Sequence, residues 1–437
     1  MAKVVIIGAG LTGISTAYHL EKNNFFDYQL FEKDQTVGGL CRSVIQDNFT
    51  FDYTGHLLHA SDPYFRELIE QIVGMENLNI INRESFIYSH NTYTRYPFQA
   101  NLYGLPAPVI AQCIEGFAQR PFSRHKPHSF HEWVLQNFGK GIAQHFFFPF
   151  QSKIFAYNIK KVSPTWMGRF VPNTTLTKLI EGSITDRSIG AIGYNANFVY
   201  PKQGGIQFWI NKLANHLQNK IKTGYQAQEI DLKTKHVQFS DGHTESFEVL
   251  INTAPLDQFL NSLRGPQSVH SLRKASEKLL CNSVINFNLG IAREQLTTKH
   301  WIYFPEKQFP FYRIGFPHNF AQSAVPTGCS SLYGEFSYLK KSRKPIHTIV
   351  NEAQEATKQL FALSDKEIIT QKVISIPHAY VIYDFWREKN LPRILQRLTD
   401  LGIHSVGRYG GWKYSSMQEA VLDGKNTATE ILQKMRL

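Results

Sequence analysis

The spacing of hydrophobic residues changes several times along the chain, and each change predicts a different element. A β-branched run from Val4 to Ile7 predicts a buried strand, and apolar residues at helical spacing follow it. Helical spacing dominates between residues 62 and 190, whereas strand-like runs prevail from about 223 to 255. Later runs such as SVINFNLGI and HWIYFP predict a mixed sheet, and KPIHTIVNEAQEATKQLFAL predicts a further helix. This alternation predicts an α/β chain.

The first strand, a glycine-rich turn, a helix and a second strand together have the pattern of a dinucleotide-binding unit. Gly8 permits the tight turn, Gly10 lets a pyrophosphate approach the backbone, and Gly13 lets the helix pack on the strand. The helix start offers free N–H groups and the positive end of its dipole to phosphate. Glu32 ends the second strand, where an acid is expected to accept hydrogen bonds from a ribose. The predicted cofactor contacts in this unit are Gly8, Gly10, Leu11, Thr12, Gly13 and Glu32.

The segment KDQTVGGLCRS, directly after the second strand, favours FAD over NAD. It resembles the GG-x-x-R extension of flavoproteins with two dinucleotide-binding domains, where a backbone loop and a basic side chain meet the FAD pyrophosphate. This resemblance assigns Lys33, Gly39, Leu40 and Arg42 to the cofactor. The buried run EVLINTAPL, residues 248–256, predicts the returning strand of the same domain. No second GxGxxG marks a nicotinamide site, although NADPH or NADH could still donate electrons.

The separated segments predict a Rossmann-type FAD-binding domain assembled from residues 1–60, 200–265 and 395–437. Residues 61–199 are expected to form a largely helical insertion that contributes a nucleotide pocket. Residues 266–394 are expected to form a mixed β-sheet substrate lobe. No long linker separates these parts, so the lobes should be interleaved.

Length and charge narrow the function classes. A chain of 437 residues is too long for one hydrophobic core, which agrees with several lobes. A net charge of +12 favours anionic partners such as phosphorylated small molecules, nucleic acid or acidic membranes. No run of five or six Lys and Arg residues concentrates that charge, so nucleic acid and membrane surfaces are not predicted partners.

The four cysteines lie far apart without a CxxC pair, so neither a disulfide framework nor a metal site is predicted. Glycines interrupt the first apolar run where a signal peptide would continue, and no stretch reaches the length of a membrane span. A cytoplasmic enzyme without stable membrane insertion is therefore expected. The sequence carries no signal for its oligomeric state.

A second glycine-rich motif, GIHSVGRYGGWKYSSMQEA, lies near the end of the chain. A short strand leads to Gly407, the turn carries Arg408, and a helix is expected from about Met417. Such a turn offers backbone N–H groups to an anionic or carbonyl-bearing ligand. In FAD oxidoreductases a segment of this kind closes over the flavin ring. Together with SDGHTESFEVLINTAPL, this ending resembles the amine-oxidase and protoporphyrinogen-oxidase superfamily.

Within that superfamily the chain resembles UDP-galactopyranose mutases, in motifs that occur in order along nearly its whole length. FDYTGHLLHAS is similar to the segment that places a glycine-histidine pair, here Gly55 and His56, beside the flavin, and GRYGGWKY implies a similar place for Arg408. Three segments resemble that family's diphosphate-binding parts: HWIYFPEKQFPFYR, HAYVIYD and GRYGGWKY. They imply diphosphate contacts from Tyr303, Arg313, Tyr380 and Tyr414.

The stretch YPFQANLYGLP, residues 96–106, has two interpretations. Taken alone, it is a proline-containing loop whose rings fill the core between lobes. It also resembles the nucleobase pocket of the mutases, where a flat base stacks on a ring while an amide contacts its edge. That resemblance implies base contacts from Tyr96, Phe98, Gln99 and Asn101.

The segment PTWMGRFVPN departs from the family pattern. Mutases carry an arginine shortly after the tryptophan, and with Val-Pro aligned that position falls on Phe170. Arg169 then lies one residue early, which on a helix is a rotation of about 100°. Arg169 is kept as a substrate-binding candidate, and the shift leaves the base and the sugar open.

The resemblance implies a redox-neutral reaction on a nucleotide-diphosphate sugar, with FAD active only when reduced. In that family, N5 of the reduced flavin attacks the anomeric carbon and displaces UDP, and the sugar ring then recloses with a different size. This would serve cell-surface polysaccharide biosynthesis, with Arg313, His56 and Arg408 as catalytic candidates. Two alternatives stay open: conversion or reduction of a CDP- or GDP-linked sugar, and an FAD amine or protoporphyrinogen-type oxidase.

Overall fold

The computed structural model describes most of the chain, and its ranges are residues 3–121, 125–167, 171–186, 197–339 and 345–435. One predicted substrate contact, Arg169, lies outside these ranges. None of the helices within them is both long and apolar enough to cross a membrane.

Strands and helices alternate through the described residues. The strands, in chain order, are β1 (Val4–Ile7), β2 (Tyr28–Glu32), β3 (Ser43–Gln46), β4 (Phe49–Asp52), β5 (Leu78–Asn82), β6 (Ser85–Ser89), β7 (Thr92–Arg95), β8 (Asn197–Pro201), β9 (Lys222–Thr223), β10 (Ala227–Asp231), β11 (His236–Phe239), β12 (Thr244–Ser246), β13 (Val249–Asn252), β14 (Leu263–Arg264), β15 (Ser283–Ile291), β16 (Trp301–Tyr303), β17 (Arg313–Gly315), β18 (Ser330–Tyr338), β19 (Ile368–Ile376) and β20 (Ile403–Ser405). The helices are α1 (Leu11–Lys22), α2 (Pro63–Val73), α3 (Ala107–Ala118), α4 (Phe130–Ile142), α5 (Phe148–Phe155), α6 (Leu176–Ile184), α7 (Gln207–Ala214), α8 (Leu256–Ser262), α9 (Ser268–Ser276), α10 (Ile346–Phe361), α11 (Phe385–Asp400), α12 (Gly407–Gly410) and α13 (Met417–Met435).

A parallel sheet with strand order β20-β13-β1-β2-β9 brings together segments that are far apart in the sequence. Val4 of β1 pairs with Val249 on one side and with Tyr28 on the other, and Leu250 pairs with Ile403. The whole of β1 is buried. A parallel sheet is covered on both faces, which explains why β1 is a continuous apolar run rather than an alternating one.

Helix α13 packs closely along α1, so the last helix of the chain covers the first. Ser15 donates a hydrogen bond to the carbonyl of Val421 at 2.8 Å. A Cβ on Gly424 would lie 2.7 Å from the Ser15 side chain, so the glycine permits the close approach. Both ends of the cofactor-binding unit are therefore fixed to each other.

A larger mixed sheet has the order β19-β15-β18-β17-β16-β6-β7. Its register sets Tyr303 of β16 opposite Arg313 of β17, and Arg313 opposite Glu335 of β18. Residues directly opposite each other on neighbouring strands share one face of a sheet. Three side chains from different parts of the sequence are thus adjacent on one face.

The helical region has its own core, built largely from phenylalanines. Phe98, Phe117, Phe130 and Phe138 are at most 2% exposed and belong to one hydrophobic cluster. The apolar segment HFFFPFQ passes through a π-helical turn, Ala143–Phe147, into α5, and it adds further rings to this cluster. Phe146, Phe147 and Phe150 of this segment are at most 6% exposed.

The predicted fold class, a Rossmann-type α/β unit built from separated segments beside a helical region and a mixed sheet, is confirmed. The region between residues 61 and 199 also supplies β6 and β7 to the mixed sheet, which helical periodicity did not indicate. A two-residue turn connects the short strands of this hairpin. Such a turn indicates a hairpin, but the surrounding helical pattern obscures it. The exact lobe boundaries remain a prediction.

Candidate active site

The turn between β1 and α1 needs its glycines for three different reasons. Gly8 has a φ of +97°, and a Cβ there would lie 2.6 Å from the Thr253 hydroxyl. A Cβ on Gly13 would collide with the carbonyl oxygen of Gly8. Gly10 instead borders open space, because the atom nearest to a Cβ there would be Cα of Gly39 at 3.9 Å. The open side of Gly10 is where a pyrophosphate would approach the backbone.

Glu32, at the end of β2, is buried and contacts the same turn. Its carboxylate accepts hydrogen bonds from the backbone N–H groups of Ala9 at 2.8 Å and Asp34 at 3.0 Å. Burial raises the pKa of the Glu32 carboxyl, and these hydrogen bonds oppose that shift. In this structure Glu32 fixes the shape of the turn, and its ribose contact remains a prediction.

The second glycine pair lies against the first turn. Gly38 donates to the carbonyl of Ala9 at 2.8 Å, and Gly39 has a φ of +60° with its Cα close to Gly10. Arg42 pairs with Asp34 at 3.0 Å, and its buried Nε has no hydrogen-bond partner among the described residues. Two glycine turns and a partly unsatisfied guanidinium fit the pyrophosphate of FAD.

The two other predicted cofactor contacts in this segment, Leu40 and Lys33, differ in how far they are buried. Leu40 is half-buried and packs against the hydrophobic cluster that contains Val284 and Ile374. Lys33 is exposed, and its contact with the cofactor remains a prediction.

The C-terminal turn lies directly on the cofactor-binding helix. Gly407 has a φ of +81°, and a Cβ there would lie 2.6 Å from the Thr12 hydroxyl. Met417, buried at the start of α13, follows the turn. The structure therefore brings the two predicted cofactor motifs together, although about 400 residues separate them.

The side chain of Arg408 extends from this turn into a cluster of tyrosines. Its guanidinium donates to the carbonyls of Ser415 at 2.8 Å and Ala379 at 3.0 Å, while its buried Nε has no partner among the described residues. The guanidinium carbon lies 5.0 Å from the ring centre of Tyr414 and 5.8 Å from that of Tyr380. Arg408 thus holds a positive charge beside two predicted diphosphate contacts.

His56 is neutral at physiological pH. Burial lowers the pKa of its imidazole to about 4, and the positive charges of Arg408 and Arg313 contribute to the shift. Its Nδ1 is buried without a hydrogen-bond partner in the described part of the chain. The preceding Gly55 has no room for a side chain, because a Cβ would meet the hydroxyl of Tyr333. A buried polar atom without a partner at this position is available to a bound group.

A buried carboxylate fixes the guanidinium of Arg313. Glu335, with no exposed surface, accepts from Nη2 at 2.6 Å and from Nε at 3.1 Å through a single oxygen. These two bonds leave Nη1 for another partner, and the Arg313 side chain is 19% exposed. The Glu335 charge helps to raise the pKa of Arg313, against the effect of burial, so the guanidinium is always charged.

The predicted tyrosines are divided between this arginine and Arg408. Tyr303 lies opposite Arg313 in the sheet, and its ring centre is 5.1 Å from that of Tyr96. The rings of Tyr380 and Tyr414 are stacked, 6.4 Å apart and 9° from parallel. Burial raises the pKa of Tyr380 to about 12, so its hydroxyl remains a hydrogen-bond donor at neutral pH.

The remaining residues of the aromatic-amide loop turn away from this cluster. Phe98 is fully buried and stacks on Phe146 at 5.1 Å. Gln99 donates to the carbonyl of Pro172 at 2.8 Å, and Asn101 donates to that of Pro97 at 3.1 Å. In this structure Tyr96 alone of the four joins the tyrosine cluster, and the base contacts of the other three remain predictions.

Two residues of the site, Tyr333 and Glu335, were missed from the sequence. Both lie on β18, in SSLYGEFSY, where they alternate along one face of a buried strand. A single carboxylate in an otherwise uncharged strand of this kind was the available signal, because a buried carboxylate needs a partner.

Comparisons with known proteins agree with this geometry. The family model for flavin containing amine oxidoreductases matches residues 11–432, and the chain therefore belongs to that family. The crystal structure of a reduced UDP-galactopyranose mutase superposes with a TM-score of 0.94 and 27% identity, covering 99% of this chain and 96% of that chain. The predicted resemblance to that mutase within the flavin-dependent amine oxidase superfamily is confirmed, and the family supports FAD as the cofactor.

Other relatives show how widely the fold is shared. A putrescine oxidase bound to putrescine superposes with a TM-score of 0.63 and 15% identity, covering 99% of both chains. A CLA-producing fatty acid isomerase from P. acnes gives 0.68 and 14% identity, covering 98% of both chains. Protoporphyrinogen oxidase 2 of Arabidopsis thaliana is 31% identical over 70 residues, which are 16% of this chain and only 14% of that protein.

Proposed function

We propose that this chain is a flavin-dependent enzyme that acts on a nucleotide-diphosphate sugar in the manner of a UDP-galactopyranose mutase. The observation that carries the proposal is the position of Arg313. Its guanidinium lies 3.7 Å from the point where a Cβ on Gly55 would stand. A fixed cation suited to phosphate thus borders the segment assigned to the flavin. A protonated amine would be repelled by such a cation, which argues against an amine oxidase.

The side chains around Arg313 suit a diphosphate. Tyr303 lies opposite Arg313 in the sheet, and Tyr380 and Tyr414 lie beside Arg408, which adds a second positive charge. The hydroxyls of these tyrosines are the proposed donors to the diphosphate. Donors fixed before the reaction stabilise charge as it develops, which here is the charge of the departing nucleotide diphosphate. Neutral His56 can donate or accept a hydrogen bond at the flavin side without adding charge.

FAD would be held by the two glycine turns, Glu32 and Arg42 on one side and by the turn at Gly407 on the other. Bound in its reduced form, it supplies the nucleophile for the sugar carbon. The chain binds and orients the sugar nucleotide and stabilises its leaving group. We place the enzyme in the cytoplasm, with NADPH or NADH as electron donor and cell-surface polysaccharide biosynthesis as its role.

The decisive experiment is chromatography of UDP-galactofuranose after incubation with the purified FAD-loaded enzyme, oxidised in one sample and dithionite-reduced in the other. We expect conversion to UDP-galactopyranose only in the reduced sample. Conversion by the oxidised sample would contradict the requirement for reduced flavin.

Absence of conversion in both samples would overturn the mutase proposal. The one-residue shift of Arg169 would then direct a screen of CDP- and GDP-linked sugars with NADPH present. Amines would be tested last, because the site is built around charged and hydroxyl groups.

A further inference from the structure

Lys153, which no motif above includes, has an unusual set of partners. Lys153 lies on α5 and is half-buried as a residue, and its ammonium group donates to three backbone carbonyls. The distances are 2.8 Å to Phe304, 2.7 Å to Glu306 and 2.9 Å to Phe311. An ammonium has three N–H donors, and these three bonds use all of them.

The three carbonyls belong to both arms of one hairpin. Phe304 directly follows Tyr303, and Phe311 lies two residues before Arg313. Between them, the N–H of Phe304 donates to the carbonyl of Tyr312 at 2.9 Å. Lys153 therefore joins the two arms just beyond the Tyr303–Arg313 pair, from a helix of the neighbouring region.

Burial of a charged lysine at this position costs free energy. Burial lowers the pKa of Lys153 to about 7, only partly opposed by the negative charge of Glu306. An apolar residue would remove that cost, but it would leave three carbonyls of the hairpin without their donor. A buried charge whose every hydrogen goes to one short hairpin fixes the conformation of that hairpin.

We propose that Lys153 is a positioning residue, which holds the hairpin of β16 and β17 so that Tyr303 and Arg313 face the substrate diphosphate. The inference rests on the proposed function for its ligand, but the hairpin can be observed without any ligand. Lys153 acts through the backbone and does not touch the substrate.

The test compares Lys153→Met with Lys160→Met, a matched change at an exposed lysine of the same region. Amide hydrogen exchange of residues 301–315 is measured first, on the FAD-loaded proteins without substrate. We expect exchange in this segment to rise roughly tenfold in Lys153→Met, with little change elsewhere, because charge-assisted hydrogen bonds are lost there. Lys160→Met should match the wild type.

The second readout is the dissociation constant for UDP together with kcat and KM. In Lys153→Met we expect about tenfold weaker UDP binding and a rise in KM larger than the fall in kcat. Lys153→Arg keeps the charge and several donors, so it should recover much of both losses. If Lys153→Met does not fold, the same comparison is made between Lys153→Arg and Lys153→Gln, and Gln should show the faster hairpin exchange.

The outcomes separate the two proposals. Unchanged exchange in residues 301–315 overturns the positioning role whatever the substrate is. A uniform increase in exchange with a lower melting temperature but an unaltered KM also overturns it, because the lysine would then serve stability alone. If the wild type neither binds UDP nor converts the sugar, the proposed function fails, and hairpin exchange still decides the role of Lys153.

Discussion

The nitrogen atoms of the Arg313 guanidinium have different partners. Glu335 accepts hydrogen bonds from Nε and Nη2 through one buried oxygen, and under the proposed function Nη1 faces the diphosphate. The carboxylate thereby sets the plane of the guanidinium before any substrate arrives. A planar fork fixed in this way suits a phosphate oxygen, whereas a lysine ammonium could not reach Glu335 and a ligand with the same geometry.

Arg313→Lys should therefore lower kcat/KM for the reduced enzyme by roughly 100-fold, the size expected when a fixed donor to a developing charge is lost. The measurement is the rate of UDP-galactofuranose conversion. Arg264→Lys is the control, since Arg264 is a half-exposed partner of Glu229 on another sheet. Equal activity of the Arg313→Lys variant and the control would contradict the role of the guanidinium.

At the scale of secondary-structure elements, the short helix α12 lies against the start of α1. It thereby brings the C-terminal part of the chain to the predicted cofactor site. Gly407 contacts Thr12 so closely that a methyl group would displace the start of α1. Arg387 holds the far side of the turn by donating twice to the carbonyl of Trp412, at 2.7 Å and 3.0 Å. The turn is thus fixed on both sides, and Arg408 projects from its middle.

Gly407→Ala should reduce the flavin content of the purified protein, read as the ratio of absorbance at the flavin band to that of the protein. Gly242→Ala is the matched control, because Gly242 has a similar φ of +87° but no atom within 4 Å of a Cβ. Both variants bear the backbone strain of a left-handed residue, roughly 1 kcal/mol. Equal flavin retention would show that the contact with Thr12 does not shape the cofactor site.

The glycine turns were predictable from the sequence because each depends on local backbone geometry. Gly8 and Gly407 have positive φ values, and Gly13 closely approaches the carbonyl of Gly8, as their motifs imply. Glu335 and Lys153 were not predictable in the same way, since their roles come from strand register and from packing between distant segments. Local patterns thus predicted the cofactor side, and most of the support beneath the substrate side required the structure.

At the scale of the whole molecule, burial controls the response to acid. His19, His56, His59 and His300 lie in different parts of the fold, and burial lowers the pKa of each to about 4. In the unfolded chain these groups titrate near their ordinary value of about 6.5. Between these values the unfolded state binds more protons at the four histidines, so their contribution to stability falls as the pH falls through this window. Burial raises the pKa of Asp52 to about 6, which opposes this effect with one group against four.

The melting temperature of the FAD-loaded enzyme, followed by flavin fluorescence, should accordingly decrease by several degrees between pH 6.5 and pH 4.5. Adding salt weakens exposed ion pairs but not buried histidines, so the decrease should persist at high ionic strength. A melting temperature that stays constant over this range would contradict the neutral state of the four side chains.

The strand order of the parallel sheet also has a consequence for how the protein is made. On the ribosome, β1 and β2 emerge early, but β1 lacks its neighbour β13 until residue 252 has been synthesised. The sheet gains its outer strand β20 later still, and α13 then covers α1. A nascent chain halted before Ile403 therefore lacks both β20 and α13, which leaves β13 as an uncovered edge of the sheet and α1 without its covering helix. We therefore expect flavin to bind only at the last stage of translation, and the unfinished chain to be prone to aggregation until then.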